Sequence, residues 1–456
     1  MKRNGISVIV LSLCVTSISS VGVLRGQEAD WAGDELLGKY PYDRFEKPKK
    51  CLSCHTDIYR QWEQSMMSQA FTHHWDEIEY FDLAVKHASL KPELKGAVDG
   101  CNGCHTPLAF CAGDVTPPRP EENSRANESV SCDVCHTITD FKGEVPVNFN
   151  FTLDPGRTKR GNRQGVESPE HKTVYHEFTR SAELCGTCHN EQNPFGIMVK
   201  STHLEWKEGP YGRDDVRCHK CHMPTAPGKN AKMSQTHEDI AQHLFHGAHD
   251  PGKLAGAIEI RIHPEVRETE PGYPVKLTVQ LFNGKCGHKV PSGSVEDRIM
   301  WLHVEAVDAK GVTYHLPVDQ KGFEGEEYLI ASDELAYQDI GEILEIANFK
   351  GIPRDGVPVG DRIFRMPYFD PEGRMTICQW NTAALGVDYR IGPRETKIET
   401  YTWNLPDNVA EGMVTVKAVM YYSKLVKPVG DFLKVPEDET ESMLINTAET
   451  SFEVYY

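Results

Sequence analysis

Cys51-Leu-Ser-Cys54-His55 is the stretch on which the reading of this chain turns, because it recurs. Cys101-Asn-Gly-Cys104-His105, Cys132-Asp-Val-Cys135-His136, Cys185-Gly-Thr-Cys188-His189 and Cys218-His-Lys-Cys221-His222 repeat its spacing. Ten of the 14 cysteines are used in this way, whereas chance would supply roughly 0.02 such motifs in a chain of this composition. Two thiols three positions apart each add to one vinyl group of the same porphyrin. The next residue then lies under the iron, where its imidazole binds as proximal ligand. Zinc sites take two cysteine pairs per ion and do not require a histidine after every second cysteine. Redox-active cysteine pairs have no need of that histidine either, and a disulfide framework would not repeat one spacing five times. The motifs therefore predict five haem c groups, attached through these ten cysteines, with His55, His105, His136, His189 and His222 as proximal ligands.

Five irons call for five further axial ligands, unless some stay open. Fifteen of the 20 histidines remain for that task, and most of them crowd the motif-bearing half. After the first motif, Ile58, Trp62 and Met66 recur at helical spacing, which predicts a helix running towards Phe71. Met67 lies beside that stripe. It is either a thioether ligand, which raises a haem potential relative to imidazole, or a side chain packed on porphyrin.

Several segments resemble the multihaem cytochromes related to the tetrahaem cytochrome of nitrifying bacteria. They are Cys51-Leu-Ser-Cys-His-Thr-Asp-Ile-Tyr-Arg-Gln-Trp62, Ser65 to Ala70, Cys104-His-Thr-Pro107, Val130-Ser-Cys-Asp-Val-Cys-His136, Leu184-Cys-Gly-Thr-Cys-His189 and Cys221-His-Met-Pro224. The resemblance covers roughly residues 50 to 250 and implies a mostly helical domain whose haems sit in close pairs and pass electrons along a chain. It also implies a distal ligand on the helix after the first motif, where relatives carry histidine and this chain carries Met67. By the same resemblance His171 and His176 occupy the region of a distal histidine, and His243 and His249 fall in a segment that closes the haem domain of longer relatives. Asn283-Gly-Lys-Cys-Gly-His-Lys-Val-Pro-Ser-Gly293 is similar to a turn found in β-domains appended to multihaem cytochromes. There the histidine reaches across as a distal ligand; His288 is the matching residue, or else a turn histidine with no metal role.

The residues before the first motif have a different character. Lys2 and Arg3 precede the apolar run Ile6 to Val15, and small residues follow, so residues 1–26 read as a secretory signal rather than an uncleaved anchor. Haem attachment of this type takes place outside the cytoplasmic membrane, so both readings predict a periplasmic or extracellular protein. No later stretch is apolar enough to span a bilayer.

Beyond about residue 255 the motifs stop and alternation begins. Ile258, Ile260 and Ile262 alternate with polar residues, as do Val275, Leu277, Val279 and Leu281, then Met300, Leu302 and Val304, and then Val414, Val416, Ala418 and Met420. Period-two runs between Gly and Pro turns predict an antiparallel β-domain, and its length and strand number suit an immunoglobulin-like sandwich. The expected architecture is thus α + β in two domains: a mainly helical pentahaem domain over residues 27–254 and a β-sandwich over residues 255–456. Gly351 to Gly373, rich in Pro, Gly and charge, reads as a long surface loop. Cys286 and Cys378 are either a disulfide pair or buried free thiols.

The chain carries 49 Lys+Arg against 67 Asp+Glu, a formal charge of −18. Such a surface repels nucleic acid and anionic membrane and steers basic redox partner proteins inward. Three functions fit the sequence. The first is electron transfer through five closely spaced haems. The second is oxidation or reduction of a small nitrogen or sulfur compound at an open iron. In the third, the β-domain docks the cytochrome onto a larger complex.

Overall fold

The structure is a computed structural model that describes residues 34–456. The expected signal segment, residues 1–26, lies outside the described residues. The motif-bearing half is built from short elements. Helices α1 (Thr56–Glu63), α2 (Lys95–His105), α3 (Cys132–Thr137), α4 (Ala182–His189), α5 (Thr202–Glu208) and α6 (Cys218–His222) are its main ones. Four of the five motifs lie inside a helix with the histidine at or next to its end, so both thiols and the imidazole share one turn.

The helix expected to run from the first motif to Phe71 is shorter than its periodicity suggests. It stops at Glu63, and a separate turn begins at Met66. Ser65 breaks it: its backbone is extended and its hydroxyl donates to the Trp62 carbonyl at 2.7 Å, the local competition by which serine ends helices. Trp62 and Tyr59 form the buried face, and the Trp62 indole donates to the Val130 carbonyl at 2.9 Å.

The second half is β-rich. Strands β1 (Glu259–Pro264), β2 (Pro274–Phe282), β3 (Ile299–Val307), β4 (Thr313–His315), β5 (Arg362–Ile363), β6 (Thr396–Asn404), β7 (Gly412–Ser423) and β8 (Met443–Val454) form two sheets. One has the order β6-β2-β1. The other runs Glu268–Thr269, β8, β7, β3, β4, with β5 also paired to β3. All these pairings are antiparallel except that of Glu268–Thr269 with β8. Alternation delivers one face of each sheet to a common core: Val275, Leu277, Val279 and Leu281 from β2 meet Leu302, Val304, Tyr401, Val414, Val416 and Phe452.

Packing crosses the change of element type near residue 255. A second core joins Phe71, Trp75, Leu83 and Leu94 of the motif half to Ile299, Trp301, Ile340, Ile363 and Trp380 of the β half. Polar bonds also cross it: Trp75 Nε1 donates to Asp297 at 3.0 Å, Asn193 to the Gln379 and Thr382 carbonyls, and Trp380 Nε1 to His87 at 3.1 Å.

Residues 351–373 correct one expectation. They form no surface loop, because Ile352 and Ile363 enter this second core, Phe364 enters the first, Met366 and Tyr368 are buried beside Val199, and the charges are paired in the interior. Arg354, Asp355, Asp361, Arg362, Arg365 and Asp370 are all buried. Arg362 bridges Glu326 at 2.8 Å and Glu399 at 3.0 Å, and Asp355 joins Arg354 and Arg365. The disulfide alternative is also set aside. Cys378 is buried in the second core, Cys286 packs against the core shared by the two sheets, and both are free thiols, as is the buried Cys111.

Candidate haem centres

A proximal histidine works when its Nδ1–H is tied to an acceptor, because the bond fixes the tautomer and leaves Nε2 to the metal. Four of the five motif histidines meet this condition. Nδ1 of His105 lies 2.6 Å from the Ala70 carbonyl, that of His136 2.6 Å from Arg160 and that of His222 2.7 Å from His246, while His55 faces the Asn230 carbonyl. The acceptors come from turns and short strands brought in from elsewhere in the chain.

Three of the five face a second imidazole. His55 stands opposite His171, with ring centres 6.2 Å apart and planes 26° from parallel. His136 stands opposite His243 at 6.3 Å and 24°, and His222 opposite His288 at 6.4 Å and 16°. Two metal–nitrogen bonds of about 2 Å each, plus the half-widths of two imidazole rings, come to roughly 6 Å. The spacing therefore fits an iron held between each pair, and too large a gap remains for direct ring stacking.

Local structure explains each facing ring. His171 opens the strand Lys172–Tyr175, which pairs with Thr158–Gly161, the strand whose Arg160 carbonyl holds His136. His243 is fixed by its backbone N–H to the Gln61 side chain of α1 at 2.9 Å and by Nδ1 at 3.0 Å from the Ala241 carbonyl. His288 lies in the turn after β2. There the Lys289 N–H donates to Glu205 of α5 at 3.1 Å, and Ser292 and Thr202 share a hydroxyl contact of 2.7 Å. Arg390 braces the same Glu205 at 2.8 Å, so the β half presents His288 from a turn clamped to the motif half.

The other sequence candidates sit elsewhere. His249 lies edge-on to His73, ring centres 5.2 Å apart, rather than across from a proximal ring. His176 has a buried Nδ1 without a hydrogen-bond partner and no stacked imidazole. Met67 lies in the turn Met66–Gln69, its carbonyl accepting from Val130 at 3.0 Å, one turn before the Ala70 carbonyl that meets His105.

Among the described residues no imidazole stacks opposite His105 or His189. Around their motifs lies a group of buried and half-buried charges that sequence reading passed over. Lys200 is paired with Glu191 at 2.7 Å, the two being opposite each other in the hairpin that follows the fourth motif. Glu79, Glu296 and Asp297 are buried together. Burial, reinforced by their mutual repulsion, holds Glu79 and Glu296 well above the usual carboxylate range, and burial pushes Asp297 up to about 7. Burial lowers His189 to about 4, and Lys200 pushes it the same way. The only sequence signal was Glu191, two residues past His189.

The motif thiols show how the centres are linked. Cys51 lies against Cys132, Cys104 against Cys188, and Cys185 against Cys218. The first attachment site thus adjoins the third, the fourth adjoins both the second and the fifth, and Cys135 of the third is within electrostatic reach of Cys188.

Repeated attachment motifs, tied proximal imidazoles and iron-sized gaps define a multihaem c-type cytochrome. Residues 50–137 match the family model "Cytochrome c554 and c-prime". A cytochrome c-552 of Haemophilus influenzae is 22% identical over 272 residues, 52% of this chain and 44% of that protein. A cytochrome c-552 from a second strain is 24% identical over 221 residues, 39% of this chain and 38% of that one. The chain therefore spans less than half the length of these curated relatives. A penta-heme cytochrome c552 from Thermochromatium tepidum has the same fold: TM-score 0.62 at 19% identity, over 91% of this chain and all of that one. No helix among the described residues is long and apolar enough to cross a membrane.

Proposed function

We propose that this chain is an exported electron carrier that holds five haem c groups in a continuous chain. Its home is the periplasm or the cell exterior, and its redox partners are basic proteins drawn by the acidic surface. The single observation that carries the reading is the set of three imidazole pairs at 6.2, 6.3 and 6.4 Å. Bound haems supply one-electron chemistry. The protein's part is to choose ligands, exclude water and hold neighbouring centres close. In this reading His171, His243 and His288 are distal ligands, and the two antiparallel sheets make an immunoglobulin-like sandwich whose His288 turn completes the fifth centre. The fourth site connects the others, since its cysteines touch both the second and the fifth.

A second reading has a specific observation in its favour. Among the described residues His105 and His189 lack a facing imidazole, and half-buried Lys200 and Glu191 with Glu79, Glu296 and Asp297 form a polar environment near them. Such groups suit oxidation or reduction of a small nitrogen or sulfur compound at an open iron, because a buried cation orients an anion and neutral carboxylic acids deliver protons.

Low-temperature EPR with a redox titration of the haem-loaded protein tests both readings. Five irons per chain with at least three low-spin bis-imidazole centres is the expected result, and His288→Ala should convert one of these three to a high-spin or newly ligated form. Fewer than five irons, or a spectrum unchanged by His288→Ala, would sink the carrier assignment as stated. High-spin signals that shift with nitrite or sulfite would favour the enzyme.

A further inference from the structure

We propose that His303, His315 and Asp361 form a binding site for a borderline transition-metal dication of the zinc type, separate from the haem centres. Sheet register builds it. Strands β4 and β5 lie end to end along the same edge of β3, with Glu305 opposite His315 and Leu302 opposite Arg362. One step further along the β5 register brings Asp361 beside His303. The two imidazoles stack with ring centres 5.0 Å apart and planes 7° from parallel. His303 Nδ1 lies 3.0 and 3.1 Å from the two Asp361 carboxylate oxygens, and His315 Nε2 lies 2.8 Å from one of them.

Three observations together point to a cation. The Asp361 side chain is 0% exposed, yet among the described residues its carboxylate meets no Lys, no Arg and no backbone N–H; its contacts there are these two imidazoles. A buried carboxylate calls for a counter-charge, which a cation held between the two imidazoles supplies and which otherwise falls to a protonated imidazole. One ligand atom from each of the three residues lies within 4.8 Å of the others, which is the scale of ligands around one ion with bonds of about 2.0–2.2 Å. The second nitrogen of His303 faces Glu305 at 3.8 Å, the outer carboxylate that orients a ligating imidazole. Two nitrogens and one carboxylate oxygen suit zinc, copper or nickel rather than calcium or magnesium. His303 is 20% and His315 34% exposed, so an ion enters from solvent and keeps an open position there. Tyr401, whose buried hydroxyl has no hydrogen-bond partner, lies within electrostatic reach of Asp361 on the inner side.

Without an ion, the same atoms would form a His–Asp–His hydrogen-bonded bridge. Calorimetric titration of Zn²⁺ into the haem-loaded, chelator-treated full-length protein separates the two. One site per chain is expected. His315→Ala and His303→Ala should each weaken it by at least the roughly 10–100-fold that loss of even an outer-shell partner costs, with the haem absorption spectrum unchanged. His315→Gln serves the same comparison if the alanine variants fold poorly. The proposal is overturned if the wild-type protein shows no such site, or if the variants bind Zn²⁺ as the wild type does.

Discussion

Among the described residues before 255, the longest uninterrupted α-helix is Lys95–His105, eleven residues; the helical run His74–Leu90 is longer but passes through a π-helical stretch at Glu79–Ala84. Beyond that point the chain forms strands of nine and twelve residues, β2, β3, β6, β7 and β8. The β half buries its own apolar faces, each strand giving alternate residues to a core of 0% exposed side chains such as Leu277, Leu302 and Val416. The motif half has no comparable core of its own. Its separate cluster is small, around Leu108, Phe110, Val134 and Phe149, and the rest of its apolar surface leans on the β half. Helices this short are marginal in water by themselves. The difference shows that the motif half is specified by what it holds: covalent porphyrins replace the interior that its short helices cannot build.

The comparison breaks most visibly if haem is withheld. Protein made without haem attachment should lose most of its helical circular dichroism. Limited proteolysis should then cut between residues 48 and 250 while leaving the stretch from 255 onwards resistant. Retention of the helical signal, or equal cleavage of both halves, would show that the motif half has a sufficient core after all.

A smaller but sharp effect tests the buried charges of the β half. Arg362 is 0% exposed and holds Glu326 and Glu399. Arg362→Met keeps the bulk but takes the guanidinium from two buried carboxylates, leaving Glu399 with Lys321 at 3.2 Å and Glu326 with backbone N–H groups, so denaturant unfolding of the haem-loaded protein should show a loss of up to about 3–5 kcal/mol. A truncation that only opens a cavity, Leu277→Ala, belongs in the same series and should cost about 2–5 kcal/mol. If Arg362→Met is neutral, the segment 351–373 is not the interior element described above.

How much of this was legible beforehand follows from the range of the interactions. Each attachment motif is five residues long and carries its chemistry locally, so the sequence alone suffices to nominate its cysteines and histidine. Alternation in Val275 to Leu281 or Val414 to Met420 is equally local, and the strands lie there. What faces what is not local. His171 and His176 are five residues apart and equally plausible on paper; only the pairing of Lys172–Tyr175 with Thr158–Gly161 turns His171 towards His55. Residues 351–373 look like a loop because their Pro, Gly and charges are loop-forming by themselves. Their partners Glu326 and Glu399 lie outside the segment, so internal neutralisation was invisible. The Glu191–Lys200 pair hid for a similar reason, since a cross-strand contact needs the hairpin register.

The smallest effect concerns the seam between the two halves, where His73 of the motif half and Glu439 of the β half lie 2.7 Å apart. Burial opposes the charge on His73, but hydrogen bonds to Asp76 and Glu439 outweigh it and raise its pKa to about 9. Burial likewise opposes the charge on Glu439, but the bonds from His73 and Lys424 lower its pKa to about 2. A raised histidine stabilises the folded state fully below its ordinary value of 6.5 and loses that contribution as pH climbs through about 9. A depressed carboxylate contributes fully above its ordinary 4.5 and loses that contribution as pH falls through about 2. The seam should therefore be tightest between pH 4.5 and 6.5, weakening on both sides. Denaturant midpoints of the haem-loaded protein across pH 3 to 10 measure this, with Glu439→Gln as the comparison. The variant should remove the acid limb and shrink the alkaline one, because it takes away the acid that titrates at low pH and one of the two carboxylates that keep His73 protonated, Asp76 remaining. A variant profile parallel to that of the wild type would mean that the halves are joined by the apolar seam around Trp75, Trp301 and Trp380 and by its neutral hydrogen bonds, with the charged pair contributing nothing.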